Sequence, residues 1–251
     1  MTNYFNVNYE FDKTNIHETI QHAIEKGIPG YVCAVDGNSL ICANKNDAHL
    51  TALNGAMVNL SDSSWVPVFL NFIYKTKYVN YKGADFFIEY VNLKKYRQFF
   101  LGSTPATLEG LKIRLSQIDP SISQMRFETL PFKNVNEFDY QVIARMINDD
   151  HPDIVWVSLG APKQEQFMFR LKPYLNRGVM FGFGAAFDQY SGDPKLKRAP
   201  RWLINLKLEW LYRIFQEPKR MTDRYWNVFI SFPKIMMNEI KVSKQKKQTL
   251  K

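Results

Sequence analysis

Short apolar runs alternate with segments of helical periodicity, and the expected strands lie at 30–35, 56–60, 98–101, 126–130, 153–159 and 178–182. The helical patterns lie at 16–26, 40–53, 107–117 and 137–148. Runs of four to seven apolar residues suit strands buried on both faces, and their alternation with amphipathic segments predicts βαβ units. The expected fold is therefore α/β: a mostly parallel, Rossmann-like sheet with helices on both faces. With 251 residues and 45% apolar composition, the chain can bury a substantial core.

In such sheets, ligands bind beyond the carboxyl ends of the strands. That rule selects the loops after Leu60, Leu101, Leu159 and Gly182, which read LSDSSW, GSTPAT, GAPKQE and FGAAFDQYSGD. In the GAPKQE loop, Gly160 lets backbone approach a ligand, and the amides of the following helical turn together with Lys163 suit an anion. Gln164 can donate and accept toward a base edge or a hydroxyl, although a polar helix cap explains the same letters. Gly182-Phe183-Gly184 superficially matches a dinucleotide fingerprint, but it follows the last strand instead of the first, so a nicotinamide cofactor is not expected. Asp36, Asp62 and Asp188 each follow a strand, where Asp either caps the next turn or faces a ligand.

Charge is distributed unevenly. Residues 1–194 hold 18 Lys/Arg against 20 Asp/Glu, whereas residues 195–251 hold 15 against 4. The net charge of +9 thus belongs to a C-terminal appendage, 195–251, beyond an α/β core, 1–194. There Trp202, Leu206, Trp210 and Ile214 form a helical stripe, Glu209 and Arg213 stand four apart as an ion pair would, and Pro218 precedes Arg220 and Arg224. The aromatic segment 225–240 and the lysines after it fit docking at an anionic bilayer. The same segment fits a helix packed on its own domain or on a second copy in a homo-oligomer. No apolar run is long enough to span a membrane and no signal sequence is evident, so the expected location is cytoplasmic, peripheral at the inner face of the membrane. Cys33 and Cys42 form no metal-type pair, the four histidines lack zinc spacing, and no metal is expected.

Four motifs in one order carry a resemblance: GAPKQE after an apolar strand, then GxGAxFD, then KRAP, then LEWLYRxxxEPxR. Together they resemble the WecG/TagA/CpsF glycosyltransferase family, closely over about 153–225 and more weakly, but collinearly, over 31–114. The resemblance implies transfer of a sugar from a UDP-sugar to a polyprenyl-diphosphate-linked acceptor at the bacterial membrane surface, in synthesis of a capsule, exopolysaccharide or teichoic acid. It implies Asp62 as general base, although the family reads Pro-Asp-Gly where this chain reads Ser61-Asp62-Ser63. It also implies donor contacts from Asp36, Gly160, Lys163, Gln164, Gly184 and Asp188, and diphosphate contacts from Arg213, Arg220 and Arg224. Upstream, a Thr-x-Asn-like pair of the family is replaced by Ala34-Val35-Asp36.

The resulting expectation is an inverting, metal-independent glycosyltransferase that needs no cofactor besides its UDP-sugar and binds no nucleic acid. The alternative is a non-catalytic nucleotide- or membrane-binding module. It leaves the Asp62 and PKQE loops unexplained.

Overall fold

The computed structural model describes residues 1–193, 199–206 and 208–249. A small hairpin of β1 (Thr2–Tyr4) and β2 (Val7–Tyr9) precedes α1 (Lys13–Glu25), β3 (Gly30–Val35), α2 (Gly37–Ala43), α3 (Asp47–Asn54) and β4 (Val58–Ser61). Next come α4 (Trp65–Tyr74), α5 (Gly83–Asn92), β5 (Gln98–Gly102), α6 (Pro105–Ile118), β6 (Arg126–Glu128) and α7 (Tyr140–Asp150). The centre of the sheet is then completed by β7 (Ile154–Ser158), α8 (Lys163–Leu171), β8 (Val179–Gly182) and α9 (Gly184–Tyr190). Three helices close the chain: α10 (Arg201–Asn205), α11 (Glu209–Gln216) and α12 (Pro218–Thr249).

The main sheet has six parallel strands in the order β4-β3-β8-β7-β5-β6. Side chains alternate between its two faces, as the pleat requires. On β7, Val155 and Val157 join a core with Leu40, Leu53, Ile143 and Phe167. Its other face, through Ile154 and Trp156, joins a core with Ile16, Phe86, Leu111 and Phe187. Both faces are therefore covered by helices, which is why the strands read as continuous apolar runs. Buried Trp156 keeps its indole N–H satisfied by donating to Gln98 Oε1 at 2.7 Å.

Several boundaries differ from expectation. The single helix expected at 40–53 is two helices, because Asn46 caps α3 by accepting from the His49 amide and Asn44 reaches the Phe5 carbonyl. The helix expected from 137 starts at Tyr140, where Asp139 supplies the cap. That helix also runs beyond the expected end at 148, so Asp149 and Asp150 lie in its last turn, and Asp150 pairs with Arg97 at 2.6 Å.

The C-terminal helix packs on the core. Phe232 meets Phe5 and Phe69, and Glu239, 5% exposed, accepts from the Phe5 amide at 2.6 Å and the Tyr74 hydroxyl at 2.5 Å. No described helix is long and apolar enough to cross a membrane. Removing the Glu239 carboxylate strands a buried backbone donor, a loss on the order of 2–3 kcal/mol. Glu239→Ala should therefore lower the denaturation midpoint and expose α12 to limited proteolysis ahead of the α/β core. Unchanged cleavage of α12 would contradict this docking.

Candidate active site

Two cavities open at the carboxyl end of the sheet and share a wall. The first, about 570 Å³, is the more polar of the two and is lined by loops after β3, β4, β5, β7 and β8. The second, about 460 Å³, lies between α4 and the C-terminal helices and is lined by aromatic residues including Trp65, Phe69, Trp210 and Phe229. Asp36, Asn38, Asp62, Lys82, Glu209 and Arg213 line both.

Asp62 stands on that wall. Its amide donates to the Val35 carbonyl at 3.1 Å, which ties the loop to the adjacent strand. Its Oδ1 accepts from the Gly83 amide, at the start of α5, at 2.8 Å. Gly83 can come this close because it has no side chain: a Cβ there would lie 3.1 Å from Ala34 Cβ and 3.2 Å from the Phe183 ring. The Asp62 carboxyl is held above the ordinary carboxylate range, first by burial and then by the negative charges of Asp36 and Glu209. The Gly83 N–H and Arg213 pull in the opposite direction. A carboxylate made more basic in this way is a better proton acceptor than a solvent-exposed one. The two serines around it close the turn, Ser61 Oγ donating to the Ser63 carbonyl at 3.2 Å and Ser63 Oγ accepting from the Trp65 amide at 3.2 Å.

Asp36 combines the two roles that the sequence left open: it caps α2 by accepting from the Ser39 amide at 2.8 Å, and it lines both cavities. Beneath it, Ser39 Oγ lies 3.0 Å from Nε2 of His49, whose pKa burial lowers to about 4, so the imidazole is neutral at pH 7.

The loop after β7 and the start of α9 form the opposite side. Gly160 has φ +75°, a conformation that favours glycine, and its missing side chain faces open space. Lys163 begins α8, and its ammonium lies 5.2 Å from the centre of the Phe132 ring and 5.0 Å from that of Phe138. Gln164 is 5% exposed, and its Nε2 donates to the Gly182 carbonyl at 2.8 Å, joining the two loops. Gly184 and Asp188 line the cavity from α9, where the Asp188 carbonyl, not its carboxylate, receives the Ser191 hydroxyl.

Arg213 lines both cavities and stands 3.5 Å from Glu209, the ion pair anticipated from their spacing. Glu209 also pairs with Lys82, so the charges on this wall are interlocked. The side chains of Arg220 and Arg224 lie outside the described residues. The structure thus brings together Asp36, Asp62, Gly160, Lys163, Gln164, Gly184, Asp188 and Arg213. Lys82, Gly83 and Phe132 were not foreseen. Lys82 meets a partner 127 positions away, so no local spacing could signal it. Among the described residues, no group of three or more His, Cys, Asp or Glu is arranged to hold a metal ion.

The sequence profile of the glycosyl transferase WecG/TagA/CpsF family matches residues 3–248. The chain belongs to this family. It is accordingly an enzyme, a glycosyltransferase. A relative from Bacillus subtilis (strain 168), named N-acetylglucosaminyldiphosphoundecaprenol N-acetyl-beta-D-mannosaminyltransferase, is 29% identical over 230 residues, covering 90% of this chain and 85% of the relative. A Bacillus spizizenii protein of the same name is 29% identical over 202 residues, 79% of this chain and 74% of its own. A third of that name, from Staphylococcus aureus (strain MW2), is 29% identical over 159 residues, 63% of this chain and 59% of its own.

The environment of Asp62 predicts a linked pH effect. Its pKa is higher folded than unfolded, so its contribution favours the fold in acid and is lost as pH rises through the folded value. Asp62→Asn keeps an acceptor for the Gly83 amide but carries no charge. Its melting temperature at pH 7 should equal or exceed that of the parent, with the gain shrinking toward pH 4. A variant markedly less stable at pH 7 would contradict the assigned burial.

Proposed function

We propose that this glycosyltransferase moves an N-acetylhexosamine from a UDP-sugar onto a polyprenyl-diphosphate-linked sugar, with inversion at the anomeric carbon. The observation that carries the reading is the wall shared by the two cavities. A polar cavity rich in loop backbone suits a nucleotide sugar. An aromatic-lined cavity suits the lipid-proximal part of an acceptor, and Asp62 faces both. The names of the relatives support N-acetylglucosaminyl-diphosphoundecaprenol as acceptor and an N-acetylmannosaminyl donor as the first to test.

In this reading Asp62 takes the proton of the acceptor hydroxyl as that oxygen attacks the anomeric carbon and the bond to UDP breaks. Arg213 stabilises the departing diphosphate, with Arg220 and Arg224 as further candidates, and this cationic charge stands where other transferases use a metal. Asp36, Gly160, Lys163, Gln164, Gly184 and Asp188 form the donor side. Peripheral attachment to an anionic bilayer, at the inner face of the membrane, is supported by exposed Trp226, Phe229, Ile230 and Met237 on a helix that also carries Lys234, Lys241 and Lys244. Synthesis of a capsule, exopolysaccharide or teichoic-acid-type glycan is the corresponding setting.

The test is turnover of a panel of UDP-sugars with a polyprenyl-diphosphate-linked N-acetylglucosamine acceptor, with chelator present. At least one UDP-N-acetylhexosamine should be consumed. Asp62→Asn should lower kcat by about 10²–10⁴, and the acid limb of the parent profile should lie above the ordinary Asp value of 3.8. Full activity of the variant, or no turnover with any UDP-sugar, would overturn the mechanism, and strict dependence on a divalent ion would overturn its metal-free part.

A further inference from the structure

Asp62 is held by the connection between α4 and α5, whose residues 75–82 have no regular secondary structure. The far end of this connection is clasped to the end of β4 at two points. The Tyr81 amide donates to the Ser61 carbonyl at 3.0 Å, and the Gly83 amide donates to Asp62 Oδ1 at 2.8 Å. Irregular backbone has no ladder of its own to fix its place, so side-chain anchors decide where such a clasp sits. Near the start of the connection, Asn71 Oδ1 supplies one anchor by accepting from the Thr76 hydroxyl at 2.9 Å and the Tyr78 amide at 2.7 Å.

Tyr81 supplies the anchor beside the site. It is 5% exposed and lines neither cavity. Its ring leans on Phe86 of α5 with centres 5.5 Å apart, and the Lys13 ammonium of α1 lies 4.1 Å from the ring centre. Its hydroxyl donates to Glu89 Oε2 on α5 and stands 3.3 Å from Nε2 of His17 on α1. His17 Nε2 is also 3.5 Å from Glu89 Oε1, and its Nδ1 is 3.2 Å from the Tyr90 hydroxyl. The His17–Glu89 pair is partly open to solvent and adds little stability by itself, but it fixes the carboxylate that receives the phenol. A phenyl ring would fill the same space without needing any of these partners. The hydroxyl instead ties the residue before Lys82 and Gly83 to the helix that Gly83 begins, which sets the angle at which the chain enters α5 and the direction of the Gly83 amide.

We propose that Tyr81 is a positioning residue for the sugar transfer: anchored at its hydroxyl by Glu89 and His17, it places the Gly83 amide and through it orients the Asp62 carboxylate. This rests on the reading of Asp62 as general base. Loosening the Gly83 amide frees Asp62 to turn from the acceptor hydroxyl. It also withdraws a hydrogen bond that favours the ionised carboxyl, leaving burial to act against the charge.

The experiment compares the full chain with Tyr81→Phe, Glu89→Ala, Glu89→Gln and the double variant Tyr81→Phe/Glu89→Ala, using a UDP-N-acetylhexosamine and polyprenyl-diphosphate-linked N-acetylglucosamine. Tyr81→Phe and Glu89→Ala should each lower kcat about ten- to hundredfold, the cost of a misplacement of about 1 Å, with KM for both substrates unchanged. The double variant should be no worse than either single one, since both remove the same contact. Glu89→Gln keeps an acceptor for the hydroxyl and should stay close to the parent. In Tyr81→Phe the acid limb of the pH profile should move to higher pH, and the Gly83 amide should exchange its hydrogen faster. Asp36, Lys82, Glu209 and Arg213, the charged groups on the wall with Asp62, are intact in every variant. An unchanged kcat and acid limb in Tyr81→Phe would overturn the assignment. So would a lower melting temperature with the limb and the Gly83 exchange unaltered, which would make Tyr81 a packing residue only. A parent-like Tyr81→Phe beside an inactive Asp62→Asn would remove this inference alone, whereas full activity of Asp62→Asn would remove the reading of Asp62 as base.

Discussion

The last strand of the sheet fills its centre, and the active site depends on that insertion. β8 hydrogen-bonds to β3 on one side and β7 on the other, although its partner Gly30 lies 149 positions before Val179. Until β8 is in place, the edges of β3 and β7 are unpaired backbone, which is costly in a sheet buried on both faces. Its insertion sets the carboxyl ends of β3, β8 and β7 side by side. Asp36, the start of α9 and the GAPKQE loop then converge, and the Gln164 side chain links the last two through the Gly182 carbonyl. The order of strands also reverses around this centre, the place where open parallel sheets leave a crevice.

Charge on the shared wall is nearly balanced, and that balance tunes Asp62. Burial above all, then Asp36 and Glu209, makes its carboxyl more basic, and the Gly83 amide and Arg213 make it less so, while Glu209 is itself held between Lys82 and Arg213. A diphosphate entering the polar cavity adds negative charge beside this group. By Coulomb's law it should raise the Asp62 pKa further and draw Arg213 away from Glu209. Donor binding and base strength would in that way be coupled through the same few side chains.

Apart from the edge strand β6, which reads Arg-Phe-Glu, the strands of the main sheet were legible because they are mostly apolar and buried, and their carboxyl-end loops could be named from the fold rule alone. That is why Asp62, Gly160, Gln164 and Asp188 were identifiable as cavity residues from the sequence. Less visible were features fixed across long sequence separations. The amide that holds Asp62 comes from Gly83, 21 positions further on, and its approach depends on Gly83 having no side chain. The division of 40–53 into two helices depends on Asn44 reaching the hairpin carbonyl of Phe5. Lys163 was read as an anion contact, whereas its ammonium lies near two aromatic rings, one of them on a loop that carries no motif.

The claim on which the account turns is that two cavities, one for nucleotide and one for lipid-linked acceptor, meet at Asp62. A crystal structure with UDP and a short-chain polyprenyl-diphosphate N-acetylglucosamine bound together tests it most directly. UDP should occupy the polar cavity, the isoprenoid chain should run along Trp65, Phe69 and Phe229, and the acceptor hydroxyl should lie within hydrogen-bond reach of the Asp62 carboxylate. Both ligands in one cavity, or an acceptor hydroxyl remote from Asp62, would contradict it.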